Sequence, residues 1–183
     1  MLAEKLKIAL DKAGIHYAWV MASIVFLFTL ATSTITSAPQ ILILPITEAN
    51  GWDISDVSIA TGLMYFMTAI LCPIGAPLML RIGVINVVLI VIFLEVIGLL
   101  CTVLAFEKWH LLVSIGLCLG IASGIIGLGL SATVATRWFT ARRGLVVGIM
   151  TSAFAAGQLI FMPLMAWITT VSNWQFAIAP GLI

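Results

Sequence analysis

The sequence predicts an all-α membrane protein that forms a transmembrane helix bundle with five full spans and the start of a sixth. Of its 183 residues, 63% are hydrophobic and only 8% are charged, which is typical of a polytopic membrane protein and excludes an ordinary soluble domain. The few cations cluster in short turns between long apolar runs, because Lys and Arg are costly in hydrocarbon. About 20 apolar residues cross a bilayer core, so this length leaves room for roughly six crossings.

The predicted elements follow in order along the chain. Residues 1–14 predict an amphipathic helix on the membrane surface, because Leu2, Leu6 and Leu10 share one helical stripe and the charged residues lie elsewhere. Five apolar segments predict full spans at about 17–45, 57–80, 84–106, 110–135 and 145–171. Residues 174–183 open a sixth segment, and we expect the chain to be cut inside it, because that stretch covers only about 15 Å of helix.

The distribution of cations predicts the orientation. Alternate turns on one side of the predicted bundle hold seven of the eight Lys and Arg residues, namely Lys5, Lys7, Lys12, Arg81, Arg137, Arg142 and Arg143. The other side holds only Lys108. By the positive-inside rule we expect the N-terminus and the basic turn at 136–144 to be cytoplasmic. Arg142 and Arg143 are interpreted as topology anchors rather than ligands.

An internal repeat relates the first half of the chain to the second. When residues 35–82 are aligned with residues 121–168 without gaps, 15 of 48 positions are identical, including Met64 with Met150 and Met79 with Met165. A biased composition would give roughly a tenth by chance. The shift covers three spans, so the two copies must have opposite orientations in the membrane. Inverted three-helix repeats are typical of secondary transporters, which favours a 3+3 bundle with a transport function.

Several motifs resemble the N-terminal six-helix half of a major facilitator superfamily transporter. They are A-T-V-A-T-R-W-F-T-A-R-R-G-L-V-V-G at 132–148, Gly157-Gln158, Pro163-Leu164, Ala38-Pro39, Gly51-Trp52 and Asn173-Trp174. Within the superfamily the chain is most similar to the branch of monocarboxylate and oxalate/formate carriers. The resemblance covers nearly the whole chain and implies that residues 15–183 form one half-bundle, which works with a complementary C-terminal half that this chain lacks.

One family motif is incomplete. The superfamily signature between the second and third spans reads approximately G-x-x-x-D-R-x-G-R, and here Arg81 and Gly83 match it while Leu80 occupies the acidic position. In the family this acid helps to latch the two halves on the cytoplasmic side, partly through a basic residue that Arg137 matches. The resemblance therefore implies a gate at this end, but the departure at Leu80 leaves the latch without its acid.

Candidate cavity residues come from the polar positions of the spans. The first span has a polar middle, and its side chains either bond to their own helix backbone or face a polar cavity. The resemblance implies that the first and fourth spans line the solute pathway. The candidates are Thr32, Thr36, Ser37, Gln40, Tyr65, Ser123, Ser131 and Gln158.

Glu95 is the only ionisable residue deep inside a predicted span. A charge at such a depth costs roughly 2.5–3.5 kcal/mol on insertion scales, which makes Glu95 a candidate for proton coupling. The alternative is a structural glutamate that packs on another helix, because Gly98 and Thr102 follow on the same face and the family's third span lies at the bundle periphery.

The sequence thus predicts the N-terminal half of a secondary transporter that moves a small solute by alternating access, with an organic anion such as a monocarboxylate as the expected substrate. We expect a multi-pass protein of the bacterial inner membrane, with the lipid bilayer, the solute and the complementary half as partners, and with no cofactor, metal or nucleic acid. No HExxH or GxSxG motif is present, so no enzymatic activity is expected. The alternative is a truncated, transport-incompetent protein with a structural or subunit-interaction role.

Overall fold

The computed structural model describes residues 17–139 and 142–171 of the chain. Every long element within these residues is a helix, which confirms the all-α fold class. Five of these helical stretches are long and apolar enough to cross a membrane. The predicted surface helix at 1–14 and the sixth segment at 174–183 lie outside the described residues.

The helices, in chain order, are α1 (Tyr17–Asn50), α2 (Ile54–Ile82), α3 (Val84–Val103), α4 (Lys108–Leu111), α5 (Gly120–Trp138) and α6 (Arg143–Val171). A π-helical segment, Leu112–Leu119, joins α4 to α5, so these three elements together make the fourth span. Helix α1 has 34 residues and is therefore about 51 Å long. It exceeds the hydrocarbon core of about 30 Å and continues to Asn50 instead of ending near residue 45.

Local chemistry explains where the helices turn. The backbone N–H of Asp53 donates to the Asp56 carboxylate over 3.2 Å, which caps the start of α2. At the other end of α2, Gly83 has φ +90°, a conformation that side chains disfavour. Its N–H donates to the Met79 carbonyl over 3.1 Å, and this bond closes the tight turn into α3.

Close helix approach builds the bundle. The two most extensive interfaces join α2 to α5 and α1 to α6, and glycines line both of them. A Cβ at Gly124 would lie 2.8 Å from the Leu71 Cβ, and a Cβ at Gly157 would overlap the Ser33 hydroxyl. In lipid there is little hydrophobic drive between helices, so such close backbone contacts supply much of the association energy through van der Waals packing.

The packing follows the inverted repeat. The repeat relates α1 to α5 and α2 to α6, and it therefore exchanges the two main interfaces with each other. It also exchanges two core clusters at opposite ends of the bundle. Met64 and Ala60 lie in the cluster at the Lys108 end, and their counterparts Met150 and Val146 lie in the cluster at the Arg81 end. Met79 and Met165 show the reverse exchange, as a two-fold axis in the membrane plane requires.

The cationic side chains of the described residues stay at the ends of the helices. Lys108 Nζ lies 2.6 Å from Asp56 Oδ2, so an ion pair joins the start of the fourth span to the first turn of α2. Arg81, Arg137, Arg142 and Arg143 are exposed at the opposite end of the bundle. The described helices therefore carry their cations at the turns, which is the arrangement that hydrocarbon around the middle of the bundle demands.

Candidate functional site

A cavity of about 310 Å³ lies between the two core clusters, at mid-depth of the helices. All five spans contribute to its wall, so both repeats meet there. The lining residues are Thr29, Thr32 and Thr36 from α1, Tyr65 and Thr68 from α2, Glu95 from α3, Ser123, Ile126, Gly127 and Ser131 from α5, and Thr151, Phe154 and Gln158 from α6. The volume suits a small solute, and the wall mixes hydroxyls with apolar surface in the way that small-molecule sites do.

The cavity brings together most of the side chains that the sequence singled out. Thr32, Thr36, Tyr65, Ser123, Ser131, Gln158 and Glu95 all line it. Gln40 is connected to the wall indirectly, because its Nε2 donates to the Tyr65 hydroxyl over 2.6 Å. Ser37 is different. It is fully buried and donates to the Ser33 carbonyl over 2.9 Å, so it packs within the bundle and does not reach the cavity.

Most of the cavity hydroxyls donate to their own helices. Thr36 Oγ1 donates to the Ser33 carbonyl over 2.9 Å, and Thr151 Oγ1 donates to the Val147 carbonyl over 2.9 Å. Thr32 donates to the Thr29 carbonyl over 3.2 Å. The hydroxyls of the first span therefore bond to their own helix backbone and also line the cavity. The protons of these hydroxyls satisfy backbone carbonyls, and their remaining lone pairs are acceptors for a solute.

Thr68 and Ser123 join the two central helices. Their hydroxyl oxygens lie 2.7 Å apart across the interface between α2 and α5. Thr68 also contacts the Met64 carbonyl at 2.8 Å, and Ser123 donates to the Gly120 carbonyl over 3.2 Å. Thr68 Oγ1 also lies 3.3 Å from the Gly120 carbonyl of α5. A shift along the axis would break this contact and the one with Ser123 together, so the pair fixes the relative height of the two helices beside the cavity.

Glu95 is the only ionisable carboxylate among the lining residues, and it is 7% exposed. The family resemblance placed the third span at the periphery, but the structure turns Glu95 towards the cavity. Its neighbour Gly98 packs tightly on Leu119, and Thr102 donates to the Gly98 carbonyl over 2.8 Å, so the rest of that face serves packing. No Lys, Arg or His is among the described lining residues, and the Glu95 carboxyl therefore has no cation beside it in the wall.

Three threonines of the wall were not predicted. Thr29 lies on the same stripe as Thr32 and Thr36, and this spacing of three and four residues would have identified it. The repeat offered a second signal, because it relates Tyr65 of α2 to Thr151 of α6 and both line the cavity. Thr68 could be identified only from its contact with Ser123, and that contact is known only once the helices are packed.

Described residues on either side of the basic turn contact one another at one end of the bundle. The Arg143 Nε donates to the Phe139 carbonyl over 2.7 Å, and the Phe139 ring meets the Trp19 ring edge-on with centroids 5.5 Å apart. These contacts connect the beginning of α1 with the end of α5 and the start of α6. Leu80 is 76% exposed at the same end, so the position of the family's latch acid presents an apolar side chain to the surroundings.

No group of three potential metal ligands occurs in the part of the chain that the structure describes.

A comparison with protein-family models matches residues 13–182 to the Major Facilitator Superfamily. A search of curated proteins gives no significant match. The family match covers most of the chain and agrees with the five apolar helices, the inverted repeat and the cavity between the repeats. The chain therefore belongs to the Major Facilitator Superfamily and is a multi-pass membrane transporter domain.

Proposed function

We propose that the chain forms one wall of the solute pathway of a secondary transporter that moves a small organic anion, such as a monocarboxylate. The observation that carries the proposal is the central cavity, which both inverted repeats line at mid-depth. Solute sites of transporters with inverted repeats lie at the bilayer midplane between the repeats. Transport would proceed by rocking of this bundle against a complementary six-helix half, which supplies the opposite wall.

The class of solute follows from the resemblance to monocarboxylate and oxalate/formate carriers. A carboxylate as small as lactate fits a cavity of about 310 Å³, and the hydroxyls of Thr32, Thr36 and Tyr65 suit the polar substituents of a hydroxy acid. The described wall supplies no cationic side chain, so we assign such a partner for the anion to the complementary half. By the positive-inside rule the basic turn faces the cytoplasm, and we propose the bacterial inner membrane as the location.

Glu95 gives this wall a means of coupling solute to protons. An ionised carboxylate in the cavity would repel an organic anion, whereas a protonated carboxyl would not, and it would also offer a hydrogen-bond donor. Loading a proton on Glu95 before the anion binds would therefore favour movement of the two together. This role makes uptake of the anion depend on the proton gradient.

Uptake of labelled lactate tests the proposal. Membrane vesicles would be prepared from the protein's own cells after deletion of the gene and complementation with wild type or Glu95→Gln. We expect wild-type vesicles to accumulate lactate when the outside is acidified. Glu95→Gln imitates the protonated carboxyl, so it should retain exchange of lactate but lose accumulation driven by the proton gradient.

Glu48→Gln is the matched control, because Glu48 is an exposed carboxylate at the end of α1. It should behave like wild type. Unchanged proton dependence in Glu95→Gln would remove Glu95 from the coupling mechanism. If wild-type vesicles take up no more lactate than vesicles from the deletion strain, the assignment to monocarboxylates is wrong.

A further inference from the structure

We propose that the helix break at Gly127, together with Ser131, forms a subsite for the carboxylate group of the solute. The inference rests on the proposed function, because it identifies the part of the wall that would hold the charged end of an organic anion. Both residues belong to α5 and both line the cavity. They would stabilise the negative charge of the solute through backbone dipoles and a hydroxyl group. The described residues of this wall include no cationic side chain that could do so.

Gly127 interrupts the fourth span. Its φ of −10° and ψ of −124° are not helical and divide α5 into two pieces. In a regular helix the Gly127 carbonyl points along the helix axis and accepts from the N–H of residue 131. The observed ψ rotates this carbonyl away from that direction. Residues 128–138 therefore begin a new helical piece beside the cavity. The start of a helix carries unpaired N–H groups and a partial positive charge, and both attract anions.

The space at Gly127 is open. A Cβ built on Gly127 would meet no atom within 4 Å, whereas a Cβ at Gly120 would lie 3.0 Å from the Met64 Cα and one at Gly129 would lie 3.0 Å from the Ala76 nitrogen. The neighbouring glycines thus allow α2 to approach, but Gly127 has no such packing role. A solute atom has room to reach the backbone at this position.

Ser131 provides an independent observation at the same place. It is 1% exposed, it lines the cavity, and its Oγ has no hydrogen-bond partner among the described residues. A serine inside a helix normally donates to the carbonyl four residues earlier, which for Ser131 is the carbonyl of Gly127. Because that carbonyl is turned away, the Ser131 proton remains available. Thr36 and Thr151 in the same wall use their protons on backbone carbonyls.

These features favour an anion over a cation as the occupant. The unpartnered Ser131 hydroxyl is a donor, and the dipole of the helical piece that follows Gly127 adds a positive potential. A carboxylate accepts several hydrogen bonds at once, and such charge-assisted bonds are about twice as strong as neutral ones. Discontinuous helices hold the carboxylates of solutes in other transporters by this chemistry.

Binding measurements on the purified protein in nanodiscs test the subsite. The probes are lactate and lactamide, which have similar shapes but differ in charge. We expect wild type to bind lactate more tightly than lactamide. Ser131→Ala should weaken lactate about ten- to a hundredfold, which corresponds to the loss of one hydrogen bond to a charged group, and it should change lactamide binding little. Gly127→Ala, which favours a continuous helix, should weaken lactate as well.

Ser114→Ala is the control. Ser114 is fully buried with an unpartnered Oγ, but it lies in the π-helical segment and does not line the cavity. This variant should bind lactate like wild type. Circular dichroism would establish that all variants are folded, and Ser131→Ala removes only an unpaired hydroxyl, so we expect it to fold.

Each other outcome has a definite meaning. If Ser131→Ala and Gly127→Ala both bind lactate like wild type, the subsite is wrong, although lactate remains a ligand and the proposed function stands. Tighter binding of lactamide, or binding that requires sodium, would show that the break acts as an acceptor site and would overturn the inference. If neither probe binds while the vesicles still accumulate lactate through this protein, the inference fails and the transport function survives.

Discussion

The interface between α2 and α5 gives the sharpest prediction about stability. A Cβ at Gly75 would overlap the carbonyl oxygen of Ile125 on the facing helix. The obstacle is backbone rather than the end of a flexible side chain, so it cannot move aside without moving α5. Gly75→Ala therefore forces the two helices apart by roughly 1 Å, the difference between an overlap and an ordinary contact.

The size of the effect follows from this separation. A radial gap of about 0.5–1 Å removes a quarter to a half of the dispersion energy of the affected contacts, and overpacking a well-packed core costs about 1–3 kcal/mol. Because this is one of the two most extensive interfaces of the bundle, we expect the free energy of unfolding to fall by at least about 2 kcal/mol. The measurement is unfolding of the protein in detergent, followed by circular dichroism.

Gly62→Ala is the matched control, because it makes the same change in the same helix. A Cβ at Gly62 would meet nothing within 4 Å, so the substitution removes a flexible residue from a helix interior without a clash. It should be neutral or stabilise the protein by up to about 1 kcal/mol. If Gly75→Ala is as stable as Gly62→Ala, the close approach of α2 and α5 is incorrect.

Three further predictions concern other parts of the bundle. A double-mutant cycle with Thr68→Val and Ser123→Ala should show a coupling energy of about 0.6–1.7 kcal/mol in unfolding, as for other hydroxyl pairs in membrane helices; a value of zero would contradict their 2.7 Å contact. Phe139→Ala should lose an edge-on ring contact, which lowers stability by about 0.5–1.5 kcal/mol beyond the loss of buried area and speeds proteolysis of the basic turn, whereas Phe139→Tyr should retain the contact. In a background without the native cysteines, Arg142→Cys should react with a membrane-impermeant thiol reagent only from the cytoplasmic side and Lys108→Cys only from the opposite side; labelling of both from one side would refute the proposed topology.

The helical bundle could be predicted from the sequence because hydrocarbon imposes simple rules. Long apolar segments must be helices, and cations must lie in turns. The inverted repeat was visible for a related reason, since positions such as Met64 and Met150 occupy equivalent core sites and tolerate few other shapes. The membership of the superfamily followed from motifs in the turns, where residues such as Arg137 and Gly83 have special positions.

The cavity was less predictable because it depends on the rotation of each helix. Thr36 and Ser37 are adjacent and chemically similar, yet a turn of 100° per residue places Thr36 in the wall and Ser37 inside the packing. The sequence left Glu95 open between a coupling role and helix packing, and only the packed helices show that it lines the cavity while Gly98 on the same helix packs against Leu119. The rotation of each helix about its own axis cannot be read from composition or hydropathy.

The two irregular features of the fourth span, the break at Gly127 and the π-helical segment, could not be predicted from the sequence either. Glycine at position 127 permits a break but does not require one, because Gly120 and Gly124 lie in the same helix and remain helical. The π-helical segment at Leu112–Leu119 has an ordinary apolar sequence. The π-helical segment packs on α2 and α3, and tertiary packing of this kind can override local propensity. The break at Gly127 has no such contact around its Cα hydrogens.

The exchange of core clusters by the inverted repeat bears on the energetics of transport. Met64 and Met150, and likewise Met79 and Met165, occupy equivalent core positions at opposite ends of the bundle, so this part of the packing favours neither side of the membrane. States open to either side should then differ little in free energy, and a small bias is enough to reverse their populations. The direction of net movement would then follow the gradients of solute and protons rather than a bias in this part of the packing.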